Sequence, residues 1–355
     1  MRILRGYLTR HMVAGWLMAT AILAILLMLV RLIDELDRVT SRYTTSEVML
    51  YVAFTLPQQL IMLAPVIVLI GTLTAFARLE QANEMTMVRG SGLDKSRFLR
   101  LLAVPFLVLA LTLWGAMEWV TPPLHQLGEE IRSDARGNNS LEPGQSLWSR
   151  SDNTFFRVGR LKAGKPPRDI DVYVFSEDKQ LLRAIHAVRA EPLGERRWRL
   201  HKTLERRWED GVLTIRQPAE LTMDGLWSQD ELDRLLLSLD SMSTSVLREY
   251  HGYLTRSGQA SEAPAMAFWN RLLLPLTTVT MGLLALGLGV KPGSRRSGMG
   301  RQLATGALIG VLFYLGSQVV LALGQIFQLP APATAAFPLV CILAVAVLLV
   351  YRLRW

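Results

Sequence analysis

The chain has 355 residues, half of them hydrophobic, and a net charge of +9. Its apolar residues gather toward the two ends around a polar middle, which excludes an ordinary soluble globule. Residues 122–265 carry 21 Lys/Arg and 22 Asp/Glu, while the rest carries 18 and 8, so the basic excess is juxtamembrane and implies no nucleic-acid partner.

A bilayer core needs about 20 consecutive apolar residues per helix. On that measure the chain predicts spans near 11–32, 50–77, 99–120, 268–290, 302–327 and 334–352. The first span has few helix breakers. Its apolar core is too long for a cleaved signal peptide, and it ends at Arg31 without a small-residue cleavage site. The second contains Pro57 and Pro65 and predicts a kink or steep tilt. The third contains Pro105 and is expected to end at Glu118, before Pro122-Pro123. Residues 302–351 hold no Asp, Glu, Lys or Arg. That run is long enough for two spans if Gln328-Leu329-Pro330-Ala331-Pro332 turns the chain between them. Basic residues cluster before span one, between spans two and three, between spans four and five, and at the C-terminus. The positive-inside rule then places both termini and these loops in the cytoplasm and the polar middle outside it.

The middle segment breaks into short alternating runs bounded by turn residues. Phe155–Val158, Asp171–Phe175, Leu181–Ala190 and Arg197–Leu200 read as strands, with Ser176–Lys179 as a hairpin turn. Asp210-Gly211, flanked by apolar residues, is a strong hairpin signal. This succession predicts an all-β sandwich, jelly roll or open barrel. Ser228–Leu232 looks like a helix start, and 226–266 is expected to lead back to the membrane.

Most catalytic signatures are missing. There is no P-loop spacing, no G-x-S-x-G and no histidine cluster suited to a metal. The lone Cys341 reads as a small packing residue. The spans carry almost no charge, which argues against an ion-coupled carrier. Three local features stand out, each with two readings. The Leu79–Gly92 stretch between spans two and three is helix-forming and ends at glycines. It is either a plain connector or a helix that docks on a cytoplasmic partner through Glu84, Met85, Met87, Val88 and Arg89. Arg31 and Arg38, near the end of span one, either snorkel to the interface or face a large anionic ligand. Gly282, Gly287, Gly289, Gly306 and Gly310 serve either internal packing or a subunit seam or moving gate.

Three spans, a β-rich insert of this size and three further spans resemble the LptF/LptG permease family of the lipopolysaccharide exporter. Asn83-Glu84-Met85…Gly90-Ser91-Gly92, Glu118-Trp119-Val120-Thr121-Pro122 and Leu147-Trp148…Asn153-Thr154-Phe155 carry the resemblance, and the last is closer to the LptG branch. The resemblance implies an α-helical membrane protein of six transmembrane helices, 3+3, with an inserted all-β periplasmic jelly-roll domain. The divisions would be 1–122 with a coupling helix near 79–90, 123–266 for the β-domain and return linker, and 267–355. It implies a bacterial inner-membrane permease subunit that extracts lipopolysaccharide and passes it to a periplasmic bridge. The implied partners are an LptF-like permease, an LptB ATPase dimer, LptC, lipopolysaccharide and membrane lipid. ATP and Mg would sit on the ATPase, so this chain would need no cofactor and catalyse nothing itself. Glu84 would contact the ATPase. Arg31 and Arg38 would meet lipid phosphates, with Arg132 and Arg136 as further candidates, and Asp37 stands where the family's pattern suggests another basic residue. Two readings compete: a scaffold displaying a β-domain, and an ABC permease for another lipid or lipoprotein.

Overall fold

A computed structural model describes residues 2–40, 43–136, 147–151, 153–162, 165–176, 178, 180–194, 197–209, 212–224, 238–256, 261–289 and 299–352. Among them are six helices long and apolar enough to cross a membrane. The chain enters with α1 (Arg2–Leu36), whose Leu8, Met12, Trp16 and Ala19 recur at helical spacing and are all buried. The second expected span is two helices, α2 (Thr45–Met62) and α3 (Ala64–Gln81), so the foreseen kink is a break at Leu63. Pro65 is the cause: it has no N–H to give to Ile61, and its ring excludes that carbonyl. Pro57 stays inside α2.

A short α4 (Glu84–Gly90) precedes α5 (Lys95–Gly115). The third span does not stop before Pro122-Pro123, as expected from sequence. A π-helical turn at Ala116–Val120 leads directly into α6 (Thr121–Arg136), and the apolar helix runs from Lys95 to Ala135. The wider turn lets the helix pass two prolines that would otherwise clash with the preceding carbonyls.

The insert is an antiparallel seven-stranded sheet with strands at Leu147–Ser151 (β1), Thr154–Lys162 (β2), Lys165–Phe175 (β3), Leu181–Gly194 (β4), Arg197–Glu209 (β5), Val212–Arg216 (β6) and Glu220–Asp224 (β7). Strands follow one another in sequence order, and β7 pairs with the first half of β5 beyond β6. The expected all-β insert is thus a single antiparallel sheet without crossed connections. Glu209 pairs with Val212, so the hairpin foreseen around Asp210-Gly211 closes there, although those two residues lie outside the described ones. Phe156, Val172 and Ile185 face one another across β2, β3 and β4, as do Val158, Ile170 and Ala187. With Leu200 and Trp198 they form one buried cluster. Strands pack chiefly on strands among the described residues.

The chain returns through a 3₁₀ turn (Leu239–Ser241) and α7 (Thr244–Arg256), then closes with α8 (Glu262–Gly289), α9 (Met299–Ile326) and α10 (Ala331–Tyr351). The helix start expected at Ser228–Leu232 and the basic residues Lys291, Arg295 and Arg296 lie outside the described residues. Spans α3 and α8 are 78% and 61% buried, against 11–22% for the other four, so these two form the centre and the rest surround them. The later glycines serve packing. A Cβ on Gly282 would strike Phe106, one on Gly287 would strike Leu349, and those on Gly306 and Gly310 would strike Leu73 and Val66.

Candidate functional site

Two clusters sit at opposite ends of the helical bundle. The first is the corner between α3 and α5. Asn83 adopts a left-handed backbone, φ 59°, which its short polar side chain tolerates better than most. This turn separates α4 from α3, so the expected single helix over 79–90 is two pieces. Met85 is fully buried beside Leu8, Met12, Leu79, Leu93 and Phe98, and Val88 packs against the same core. Met87 points away and is 70% exposed. Arg89 forms a largely buried ion pair with Glu80 and so locks α4 to α3. Glu84 accepts a hydrogen bond of 2.6 Å from Tyr7 Oη through Oε2. The five residues expected on one docking face therefore divide. Met85, Val88 and Arg89 hold the helix down, while Glu84 and Met87 face out.

The start of α1 was missed as part of this corner. Its signal was the Leu8, Met12, Trp16 stripe. Its partners, however, lie some 70 residues away, beyond any local pattern. A closer approach follows along α1 and α3. Trp16 Nε1 donates to Thr72 Oγ1 at 2.9 Å, and a Cβ added to Gly71 would lie 2.8 Å from the Gly15 backbone.

The second cluster is the rim on the insert side. Glu35 is 5% exposed and receives three partners. Arg132 Nε lies 3.0 Å from it, Arg38 3.5 Å, and Tyr43 Oη donates at 3.2 Å. Arg132 also donates to Tyr51 Oη at 3.2 Å, stands over that ring, and lies 3.6 Å from Glu129. Two arginines and two glutamates close on one another here. Arg132 is thus held as a strut between α6, α1 and α2. Arg38 keeps over half of its side chain exposed, and Arg31 is exposed with no hydrogen bond or ion pair among the described residues. The carboxylate engaging Arg38 is Glu35. Asp37, which stands where the family's pattern suggests another basic residue, is exposed and forms no ion pair among the described residues. Arg136 ends α6, and its side chain lies outside the described residues.

Beside the rim lies a joint that sequence reading did not find. Arg271 of α8 is 6% exposed and donates to the carbonyls of Leu239 at 2.9 Å, Asp240 at 3.1 Å and Met242. His125 Nδ1 lies 2.8 Å from Ser241 Oγ, and Gln126 donates to the Ser241 carbonyl at 2.9 Å. Glu118, in the π turn, accepts from the Ser245 hydroxyl and amide at the start of α7, where the helix dipole favours an anion. The one signal was Arg271 itself, the sole charge in the fourth span. Among the described residues no group of His, Cys, Asp or Glu is placed to hold a metal.

A family described as "Lipopolysaccharide export system permease LptF/LptG" matches residues 6–352. The chain is 27% identical over 346 residues to the lipopolysaccharide export system permease protein LptG of Escherichia coli K12, covering 94% of each chain. The LptG of E. coli O6:H1 matches equally, and that of Haemophilus influenzae is 27% identical over 305 residues, 83% of each.

Proposed function

The chain belongs to the LptF/LptG family of lipopolysaccharide export permeases, and from that premise we propose that it is one half of an ATP-driven extractor of lipopolysaccharide. An LptF-like permease supplies the other spans, and two LptB subunits hydrolyse ATP with Mg beneath them. The lipid leaves the outer leaflet of the inner membrane and passes to a periplasmic bridge that includes LptC. Both termini and the basic loops lie in the cytoplasm, and the β-insert lies in the periplasm.

The observation that carries the reading is the corner at α4. Glu84 is presented on a short helix that is bolted down by Met85 and by the Arg89–Glu80 pair. Tyr7 binds one carboxylate oxygen and leaves the other for a cation of the ATPase. Because α4 shares one core with the start of α1, a push on α4 reaches span one directly. At the far end of that span, Arg31 and Arg38 offer guanidinium groups suited to phosphate. Spans nearly free of charge suit acyl chains and leave the energy to a separate subunit.

The test is a pair of variants in the assembled complex. Glu84→Ala is expected to lose ATPase copurification or lipid release while the chain still inserts. Tyr7→Phe keeps the carboxylate and frees it; ATPase binding is expected to persist and release to fall several-fold, on the scale of one charge-assisted hydrogen bond. Normal assembly together with normal release in Glu84→Ala removes the coupling role.

A further inference from the structure

A pocket of about 60 Å³ lies between the α2/α3 break and helices α8, α9 and α10. Its apolar wall includes Met62, Pro65, Val66, Leu274, Phe313 and Leu339. Three polar side chains share it: Asn270 of α8, and Tyr314 and Gln318 of α9. All three lie in helices long and apolar enough to cross a membrane. None of the three makes a side-chain hydrogen bond among the described residues. The other two polar lining residues are already served: Thr277 donates to the Leu273 carbonyl and Ser317 to the Tyr314 carbonyl.

An amide or phenol without a partner at membrane depth costs free energy, because hydrocarbon supplies no hydrogen bond. Asn270 and Tyr314 are half-buried and Gln318 is exposed, so the three line one cavity that is open to a partner from outside the described residues. The lining contains no Asp, Glu, Lys or Arg, so the group that completes it is neutral. Asn270 and Gln318 donate and accept, and Tyr314 does both through one oxygen. This set matches a carbonyl or hydroxyl on an acyl chain. The cavity holds a handful of heavy atoms rather than a whole chain. Gln318 and Met62, both exposed, stand at its mouth. The α9 segment that carries Gln318 belongs to the least buried of the six spans, so the mouth faces outward from the bundle.

We infer that this pocket binds the ester or amide linkage of a membrane lipid's acyl chain, held by Asn270, Tyr314 and Gln318. The inference rests on the unpartnered groups and does not depend on which cargo the protein moves.

The test uses the full chain in nanodiscs of phosphatidylethanolamine. One arm carries a diazirine-acyl ester phospholipid, a second its ether analogue without the carbonyl, and a third the ester probe with unlabelled lipopolysaccharide as competitor. Photolabelling of the α9 and α10 peptides around Gln318 and Pro338 is expected with the ester probe. It should fall about five-fold or more with the ether probe, on the scale of one lost hydrogen bond. The near-isosteric variant Asn270→Leu/Tyr314→Phe/Gln318→Met should show the same fall, with helix content and thermal stability confirming that it folds. Competition by lipopolysaccharide identifies the glycolipid as a source of the linkage, and lack of competition identifies the phospholipid; both keep the site. Equal labelling by ester and ether probes, unchanged labelling in the folded variant, or no labelling of these peptides overturns it.

Discussion

At the scale of single residues, position in sequence and role in structure part company most among the arginines. Arg31 and Arg132 were both candidates for the same anion. Arg132 already spends its guanidinium on Glu35, Glu129 and Tyr51, whereas Arg31 has no such partner among the described residues. Arg31→Glu is therefore expected to weaken lipopolysaccharide crosslinking at the rim with little change in stability. Arg132→Ala should instead destabilise the rim, because buried Glu35 loses its nearest cation. Crosslinking yield and thermal unfolding of the two variants separate the roles, and equal crosslinking in Arg31→Glu and the wild type returns Arg31 to the interface. In the insert, Glu205 is buried on the sheet's inner face with Arg183 at 2.6 Å and Arg207 at 3.1 Å. Burial alone would raise its carboxyl pKa, but the two arginines more than offset this and hold it below the ordinary value. A depressed folded pKa contributes stability that is present above the unfolded value and lost as pH falls through the folded one. Hydrogen-exchange protection of β4 and β5 should thus decline on acidification into the range below ordinary carboxylates. Glu205→Gln should start lower at neutral pH and change less; an equally steep decline in that variant would show that another group is responsible.

At the scale of elements, the seam between α1 and α3 is set by two glycines rather than by large side chains. A methyl at Gly71 would sit 2.8 Å from the backbone of Gly15, and backbone cannot yield as a side chain tip can. Gly71→Ala is expected to destabilise by about 1–3 kcal/mol, the usual range for overpacking. Gly90→Ala, which meets open space, is the matched control. Thermal shift in detergent measures both, and an unperturbed Gly71→Ala would show that the seam opens cheaply. Elements were legible where one local signal dominates. The spans follow from hydropathy, the strands from alternation, and the break at Leu63 from Pro65. The seam was not read, since Gly15 and Gly71 belong to separate spans, although each opens a small-x-x-x-small pattern, Gly15 with Ala19 and Gly71 with Ala75. The continuation of span three through Pro122-Pro123 was misread for a related reason. A π turn is a backbone adjustment, and side-chain patterns do not announce it.

At the scale of the whole molecule, the Arg271 joint fastens the returning segment 239–242 to the helical bundle. One buried guanidinium gathers three carbonyls from the stretch that brings the chain back from the sheet. Arg271→Met is expected to lower hydrogen-exchange protection through the 3₁₀ turn and the start of α7 while leaving the sheet unchanged. Arg271→Lys should restore little, because a compact ammonium cannot span the same carbonyls as a planar fork. Full protection in the methionine variant would mean that His125, Gln126 and Glu118 hold the joint without it. The overall plan of three spans, a β-insert and three spans was readable from composition alone. The joint was not, because its parts come from span three, span four and an irregular return, and only their meeting gives them meaning. The break at Leu63 carries a last consequence, which is one of leverage. It joins two 18-residue arms, each about 27 Å long, of which only α3 is apolar enough to cross a membrane. One arm is fastened near the α4 corner and the other near the Glu35 rim. A swing of about 10° at the pivot would carry the tip of either arm about 5 Å, close to one helical pitch. A stroke of that length needs no change in the length of either arm and no register slip against its neighbours.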